Sequence, residues 1–182
     1  MSVAAMLRGS RITLRPIRGS DLDDYWAAHI DLDSRGDYFP RTVISETALR
    51  AAHAEHGMWR ADEGTLIIEV DGRMVGEIEF FPVTYWDCFE ISYQLFGRAH
   101  DGHGYVSEAL ALLVDWLFAT KHRERLQLVI VPQNAASRRV AEKAGFTLEG
   151  TCRGAFFNHG RSNDVLVYSL LRGDRVVDVD VI

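Results

Sequence analysis

The chain reads as an α/β fold, a mixed, twisted sheet with helices on both faces, and three features predict it. Two strand-loop-helix units follow one another, Phe89 to Ala119 and Leu126 to Phe146. A helix-length crossover joins their strands, so these are expected to lie parallel. Ahead of them, Thr65 to Val70 and Met74 to Phe81 flank Asp71-Gly72, the strongest hairpin signal in the chain, which predicts antiparallel strands before the parallel pair. A chain of 182 residues with 47% hydrophobic content is enough for one compact domain with a sizeable core and not for two, so residues 1–182 are read as a single domain.

The elements follow in order. Arg11 to Ile17 alternates as a strand, Ser20 or Asp21 caps a helix to about His29, and Ser45 with Glu46 opens another helix running toward Trp59. After the hairpin, Thr84 to Cys88 turns the chain into the strand Phe89 to Phe96, β-branched and aromatic in alternation. Ser107 to Ala119 then carries Leu110, Leu113, Val114 and Leu117 at helical spacing. Pro132 stops the next strand, Asn134 is a good N-cap, and Gly145 stands where the following helix needs a left-handed C-terminal residue. Thr147 to Phe157 and Asp164 to Leu171 read as two further strands joined through Asn158-His159-Gly160. Residues 172–182 alternate Val and Asp and read as a tail, either an extra edge strand or an unstructured end.

Composition excludes several function classes. The net charge of −6, from 26 acidic against 20 basic side chains, argues against a nucleic-acid or anionic-membrane surface and suits a cationic partner. No run of about 18 apolar residues is present to span a membrane. Met1 to Leu7 lacks the basic start and long apolar core of a signal peptide, so a cytoplasmic location is expected. Cys88 and Cys152 have neither metal nor redox spacing, and they read as reduced thiols with no metal site expected.

The most informative stretch is Gly97 to Leu110, where a glycine-punctuated loop passes from a strand into a helix. The first amides of a helix have no intrahelical partner and the macrodipole makes that end positive, so Gly102 and Gly104 would let bare N–H groups close on a pyrophosphate. A turn that merely needs positive φ is the competing reading of the same glycines. The loop lacks the Gly-Lys-[Ser/Thr] ending of a Walker A motif and the full Gly-x-Gly-x-x-Gly of a dinucleotide fold, which disfavours nucleoside triphosphates and NAD.

Four motifs in order carry a resemblance to a known family. Gly102-His-Gly-Tyr-Val-Ser-Glu-Ala-Leu110, Asn134-x-x-Ser137 with Ala141-Glu-Lys-x-Gly-Phe146, and Glu149-Gly-x-x-Arg153 with Asn158-x-Gly-Arg-x-x-Asp164 resemble the GNAT superfamily of CoA-dependent N-acyltransferases. The RimJ/RimL-like branch, related to spermidine N-acetyltransferases, is the most similar, and Arg11-Ile-Thr-Leu-Arg-Pro-Ile-x-x-x-Asp21 extends the likeness over Arg11 to Leu171.

The resemblance implies a GNAT fold, in which two central parallel strands split to form the cofactor site. It implies acetyl-CoA as co-substrate and an amine-bearing acceptor, either a peptide N-terminus or a small molecule, with a homodimer as a further expectation. The pantetheine arm would bond to the backbone of Leu95 and Phe96. The pyrophosphate would rest on the amides of Gly102, His103, Gly104 and Tyr105, with Arg98 as a charge partner. Asn134 would meet a pantetheine amide, unless its role is the N-cap or both. Ser137 would donate a proton to the CoA sulfur at a helix N-terminus. Arg139 and Lys143, with Arg138, could meet the 3′-phosphate or simply form a solvated helix face. Two departures stand out: Ala99 replaces the Gln or Arg usual three residues before the first glycine, and Ala141 replaces the tyrosine that many relatives use.

An amine attacking a thioester needs its ammonium deprotonated, the oxyanion stabilised and the thiolate protonated. Glu77 and Glu79 share one face of their strand, and crowding with Glu90 would raise one pKa toward neutrality and make it a base; salt-bridged strand carboxylates are the alternative. His29 and His159 are further candidates. Tyr38, Phe39, Tyr85 and Trp86 are expected to wall the acceptor mouth with Glu90, and Asp31, Asp33, Asp37 and Asp87 to favour cations there. A transferase of a longer acyl group such as succinyl, and a non-catalytic acyl-CoA-binding module, remain alternatives.

Overall fold

The structure, a computed structural model, describes residues 6–33 and 35–175. Eight strands form one sheet in the order β1-β2-β3-β4-β5-β6-β8-β7: β1 (Leu7–Arg8), β2 (Thr13–Pro16), β3 (Gly64–Val70), β4 (Arg73–Pro82), β5 (Cys88–Leu95), β6 (Arg125–Ile130), β7 (Thr147–Asn158) and β8 (Arg161–Leu171). Every neighbouring pair is antiparallel except β5 and β6. The helices are α1 (Leu22–Ile30), α2 (Glu46–His56), α3 (Tyr105–Thr120) and α4 (Ala135–Lys143).

Local chemistry accounts for the punctuation. Asp71 and Gly72 both take positive φ, 47° and 75°, the two-residue turn whose twist matches its strands. His159 and Gly160 repeat this between β7 and β8, with φ of 52° and 72°. Ser45 Oγ accepts from the Ala48 amide at the start of α2, and left-handed Gly57 ends that helix at His56, short of the expected Trp59. Gly145 is left-handed after α4, as expected. β2, Thr13–Pro16, is shorter than the strand expected over Arg11 to Ile17, and α3 starts two residues early. Of the tail, Arg172–Asp174 forms a 3-10 turn, while residues 176–182 lie outside the described residues.

Helices cover both faces. Leu110, Leu113 and Leu117 of α3 and Ala141 of α4 pack with Leu14, Leu66, Ile78, Phe80, Phe89 and Leu126 of the sheet. On the other face Leu22 and Tyr25 of α1 and Leu49 of α2 pack against Ile17 and Ile67. That second core is small, and the rest of the face carries the polar side chains of β4 and β5. No described helix is long and apolar enough to cross a membrane.

Candidate active site

The two parallel strands pair over only three positions, Cys88↔Arg125, Phe89↔Leu126 and Glu90↔Gln127. β5 continues to Leu95 and β6 to Ile130, so beyond Glu90 and Gln127 they part and leave a cleft. The Phe96 amide donates to the Val75 carbonyl at 2.8 Å, so it is used toward β4. Successive peptide groups of a strand point to opposite edges, which turns the backbone groups of Leu95 and Tyr93 toward the cleft. Of the expected pair, Leu95 has its backbone groups on the cleft edge, as does Tyr93, whereas the Phe96 amide is bonded to β4.

The glycine loop lies at the carboxyl end of β5. Gly97, Gly102 and Gly104 take φ of 89°, 76° and 77°, and α3 begins immediately at Tyr105. The first inward bond of the helix runs from the Glu108 amide to the Gly104 carbonyl at 3.1 Å, so the amides before it are left for an external acceptor. Side chains are disfavoured at these glycines, and a Cβ on Gly104 would also sit 3.1 Å from Arg11 Nη1. Bare backbone at a helix N-terminus is what a pyrophosphate requires, so Gly102, His103, Gly104 and Tyr105 fit that group. Arg98 is exposed beside them, and the His103 and Tyr105 rings stack with centroids 5.3 Å apart.

Across the cleft, α4 starts at its cap. Asn134 Oδ1 accepts from the Ser137 amide at 3.0 Å, which commits its carbonyl oxygen to the N-cap and leaves its amide N–H groups as the donors for a ligand. Ser137 Oγ is 2.7 Å from the Tyr93 hydroxyl, so the two groups meet over the opening of the strands. Burial pushes the Tyr93 phenol up to about 12, with the Ser137 bond acting in the opposite direction, and the ring stays protonated at neutral pH. Sequence reasoning missed Tyr93. Its signal was parity: it shares a strand face with Phe89 and Ile91. Ala141 is fully buried in the α4 interface. Arg139 and Lys143 are exposed on the outer surface of α4, while Arg138 leans back to the Pro132 carbonyl at 3.5 Å.

The register Glu77↔Gln94, Glu79↔Ser92 and Phe81↔Glu90 puts the three carboxylates on the face under α1. Glu77 is only 4% exposed and accepts from the Tyr25 hydroxyl, from His29 Nε2 at 3.1 Å and from the Gln94 amide. His29 Nδ1 also faces an acceptor, the Tyr25 carbonyl at 2.9 Å, and the Gln94 amide nitrogen lies 3.2 Å from His29 Nε2. Burial opposes both charges, but the Glu77 hydrogen bond and charge hold His29 above its ordinary pKa, and the His29 bond holds Glu77 below its own. Glu77 is therefore a buried carboxylate held by Tyr25, His29 and Gln94 and not an open one.

Glu79 is different. Burial, reinforced by the Glu77 charge, pushes it up to about 7, against a weaker opposing bond from Ser92. Ser92 lies in the unpaired stretch of β5, so Glu79 is level with the cleft. It also lines an open hollow of about 490 Å³ with His56, Met58, Arg60, Thr65 and Phe81. Glu90 is raised by burial and accepts from Gln127 Nε2 at 3.0 Å.

The expected aromatic mouth divides in two. Tyr38 and Phe39 lie after α1, where Asn158 Nδ2 donates to the Phe39 carbonyl at 3.1 Å and His159 Nε2 to the Asp37 carbonyl at 3.2 Å. β8 runs antiparallel to β6 with Ile130 opposite Leu166, so this turn belongs to the end where the strands part. Tyr85 and Trp86, 89% and 50% exposed, precede β5 and stand at its opposite end. His159 ties two loops together, His29 is buried in its ion pair, and Asp87 pairs with Arg123. Among the described residues, no group of three His, Cys, Asp or Glu side chains is placed to hold a metal ion.

Residues 11–147 match the family model described as an acetyltransferase (GNAT) domain. The chain is 36% identical over 168 residues to the uncharacterized N-acetyltransferase p20 of Bacillus licheniformis, spanning 89% of this chain and 93% of that one. It is 27% identical over 184 residues to the probable N-acetyltransferase YjcK of Bacillus subtilis, spanning 93% and 98%. Among solved structures, the spermidine N-acetyltransferase of Vibrio cholerae, in complex with CoA and spermine, superposes with a TM-score of 0.78 at 20% identity, covering 91% of this chain and 98% of that one. RimL, the ribosomal L7/L12 α-N-protein acetyltransferase in complex with CoA, superposes with a TM-score of 0.74 at 22% identity, covering 90% and 95%.

Proposed function

This chain belongs to the GNAT family of acetyltransferases and is an N-acetyltransferase, and we propose that it transfers the acetyl group of acetyl-CoA directly to a primary amine within a ternary complex. The observation that carries this reading is the cleft itself: the parallel pairing stops at Glu90 and Gln127, and Tyr93 and Ser137 face each other across the opening. Acetyl-CoA supplies an activated thioester. The amides of Gly102 to Tyr105 hold its pyrophosphate, and the backbone of Leu95 and Tyr93 holds its arm as an added strand, with the Asn134 amide group as a further donor. Lining up amine and thioester is itself a large part of the rate enhancement.

Glu79 is the base. A carboxyl poised near 7 can take the ammonium proton at neutral pH and pass it to solvent. As the amine nitrogen bonds to the carbonyl carbon and the carbon–sulfur bond breaks, Ser137 Oγ gives its proton to the departing sulfur, and the second proton that the nitrogen sheds in becoming an amide is returned to the serine through solvent. The positive end of α4 favours the developing thiolate. The Tyr93 hydroxyl, protonated at this pH, donates to Ser137 Oγ and so orients the serine proton. Glu77 acts from beneath, its charge adding to the burial that raises Glu79, while His29 acts in the opposite direction. The acceptor is a peptide α-amine or a small-molecule amine, the two classes that the RimL and spermidine neighbours represent.

Calorimetric titration with acetyl-CoA, succinyl-CoA and CoA, followed by assay of thiol release with pooled peptides and polyamines, tests the reading. Acetyl-CoA binding with amine-dependent thiol release is expected. Release only with succinyl-CoA would move the assignment to a longer acyl donor, and binding without release to any amine would favour a sensing module.

A further inference from the structure

Arg11 stands just before β2, remote in sequence from the glycine loop, yet its guanidinium is seated on that loop. Nη1 donates to the His103 carbonyl at 2.6 Å and Nη2 to the Gly104 carbonyl at 3.4 Å. Its Nε donates to Glu108 Oε2 at 2.8 Å, and its own backbone amide donates to Glu108 Oε1 at 2.9 Å. Ser10 Oγ adds a third donor to the same carboxylate at 3.2 Å. Glu108 is the acid of the first turn of α3.

These contacts have a directional consequence. The chain has no cis peptide among its described residues, and in a trans peptide the C=O and the next N–H point in opposite directions. Drawing the carbonyls of His103 and Gly104 toward Arg11 therefore turns the N–H groups of Gly104 and Tyr105 away from it, to the outer side of the loop. Those are two of the four amides assigned to the pyrophosphate. The same guanidinium neutralises Glu108, whose negative charge at a helix N-terminus would otherwise repel a phosphate ligand. Ala99 gives the loop no long side chain at its usual family position, and Arg11 holds two of the loop's carbonyls from outside it.

We propose that Arg11 is the positioning residue of the phosphate loop: it orients the Gly104 and Tyr105 amides and cancels the Glu108 charge, so that a diphosphate ester can bind. The inference rests on the CoA assignment made above, but it is read from binding alone, without any acceptor.

The test is calorimetric titration of the full chain and of Arg11→Gln and Arg11→Lys with CoA, and with pantetheine, which shares the arm but lacks the pyrophosphate. Arg11→Gln is expected to weaken CoA binding by about tenfold to a hundredfold and to leave pantetheine binding unchanged. Arg11→Lys keeps the charge beside Glu108 but lacks the fork for two carbonyls, and it is expected to weaken CoA binding by about threefold to tenfold. Amide exchange at residues 102–105 in the free protein should quicken in both variants. Unchanged CoA affinity in Arg11→Lys, or an equal loss for CoA and pantetheine, would overturn the proposal, and the lysine variant keeps it testable should the glutamine variant unfold. Normal CoA binding by the wild type without thiol release to any amine would sink the transfer reading and leave this one standing.

Discussion

The Tyr93 hydroxyl lies 2.7 Å from Ser137 Oγ, joining the unpaired end of β5 to the first turn of α4 over the point where the parallel strands separate. Neither group has another hydroxyl-bearing or charged side chain as a hydrogen-bond partner among the described residues, so each sets the direction of the other's proton. In a fold whose relatives often place a tyrosine one turn further along α4, this chain has buried Ala141 there and a tyrosine on the strand instead.

Removing the serine hydroxyl should therefore affect chemistry and not binding. Ser137→Ala is expected to lower turnover about a hundredfold with CoA affinity unchanged. Tyr93→Phe, which removes only the orienting bond, is expected to lower it about tenfold. Steady-state kinetics beside CoA titrations measures both, and unchanged turnover in Ser137→Ala would remove that residue from the acid role.

The base assignment predicts a pH profile. A carboxyl at about 7 must be ionised to accept a proton, so kcat/KM should fall as pH drops through about 7. Glu79→Gln should lose most of the activity and that acid limb with it. An acid limb of the same midpoint persisting in the residual activity of Glu79→Gln would assign it to another group.

The buried pair predicts a stability window. Glu77 is held below its ordinary carboxylate pKa, so its contribution is present above the unfolded value and is lost as pH falls through the lower, folded one. His29 is held above its ordinary value, so its contribution is present below the unfolded imidazole pKa and is lost as pH rises through the folded one. Stability from the pair should peak between the ordinary carboxylate and imidazole values and decline outside them toward the two folded ones. Glu77→Gln, which removes the carboxylate that accepts from Tyr25, His29 and Gln94, is expected to cost about 3–5 kcal/mol near pH 6. Urea unfolding across pH 4 to 9 measures it, and a pH dependence identical to wild type would dissolve the pair's role.

Bulk in the loop should do the reverse of the serine change. Gly104 has φ of 77°, a conformation that costs a residue with a Cβ about 1–2 kcal/mol, and valine there would press on Arg11. Gly104→Val is expected to weaken CoA binding at least about tenfold. Wild-type affinity in this variant would sink the phosphate assignment.

Much of this was legible in the sequence because its causes are local. Asp71-Gly72 turns a hairpin since both positions tolerate positive φ, Asn134 caps α4 since its side chain reaches an amide three residues on, and the leucines of α3 share a stripe because a helix repeats every few residues. The parallel strands and the glycine loop followed from the same short-range rules, and so did the shared face of Glu77 and Glu79. Only the tertiary structure decided what those side chains meet. Whether a strand carboxylate is a base or a buried counterion depends on α1, which brings Tyr25 and His29 onto Glu77 and leaves Glu79 raised by burial and by the Glu77 charge. Parity along β5 turns Tyr93 and Leu95 to the cleft and Phe96 away, but only the divergence of β6 makes that edge open. Burial and long-range pairing set charge and direction, and no window of neighbouring residues contains them.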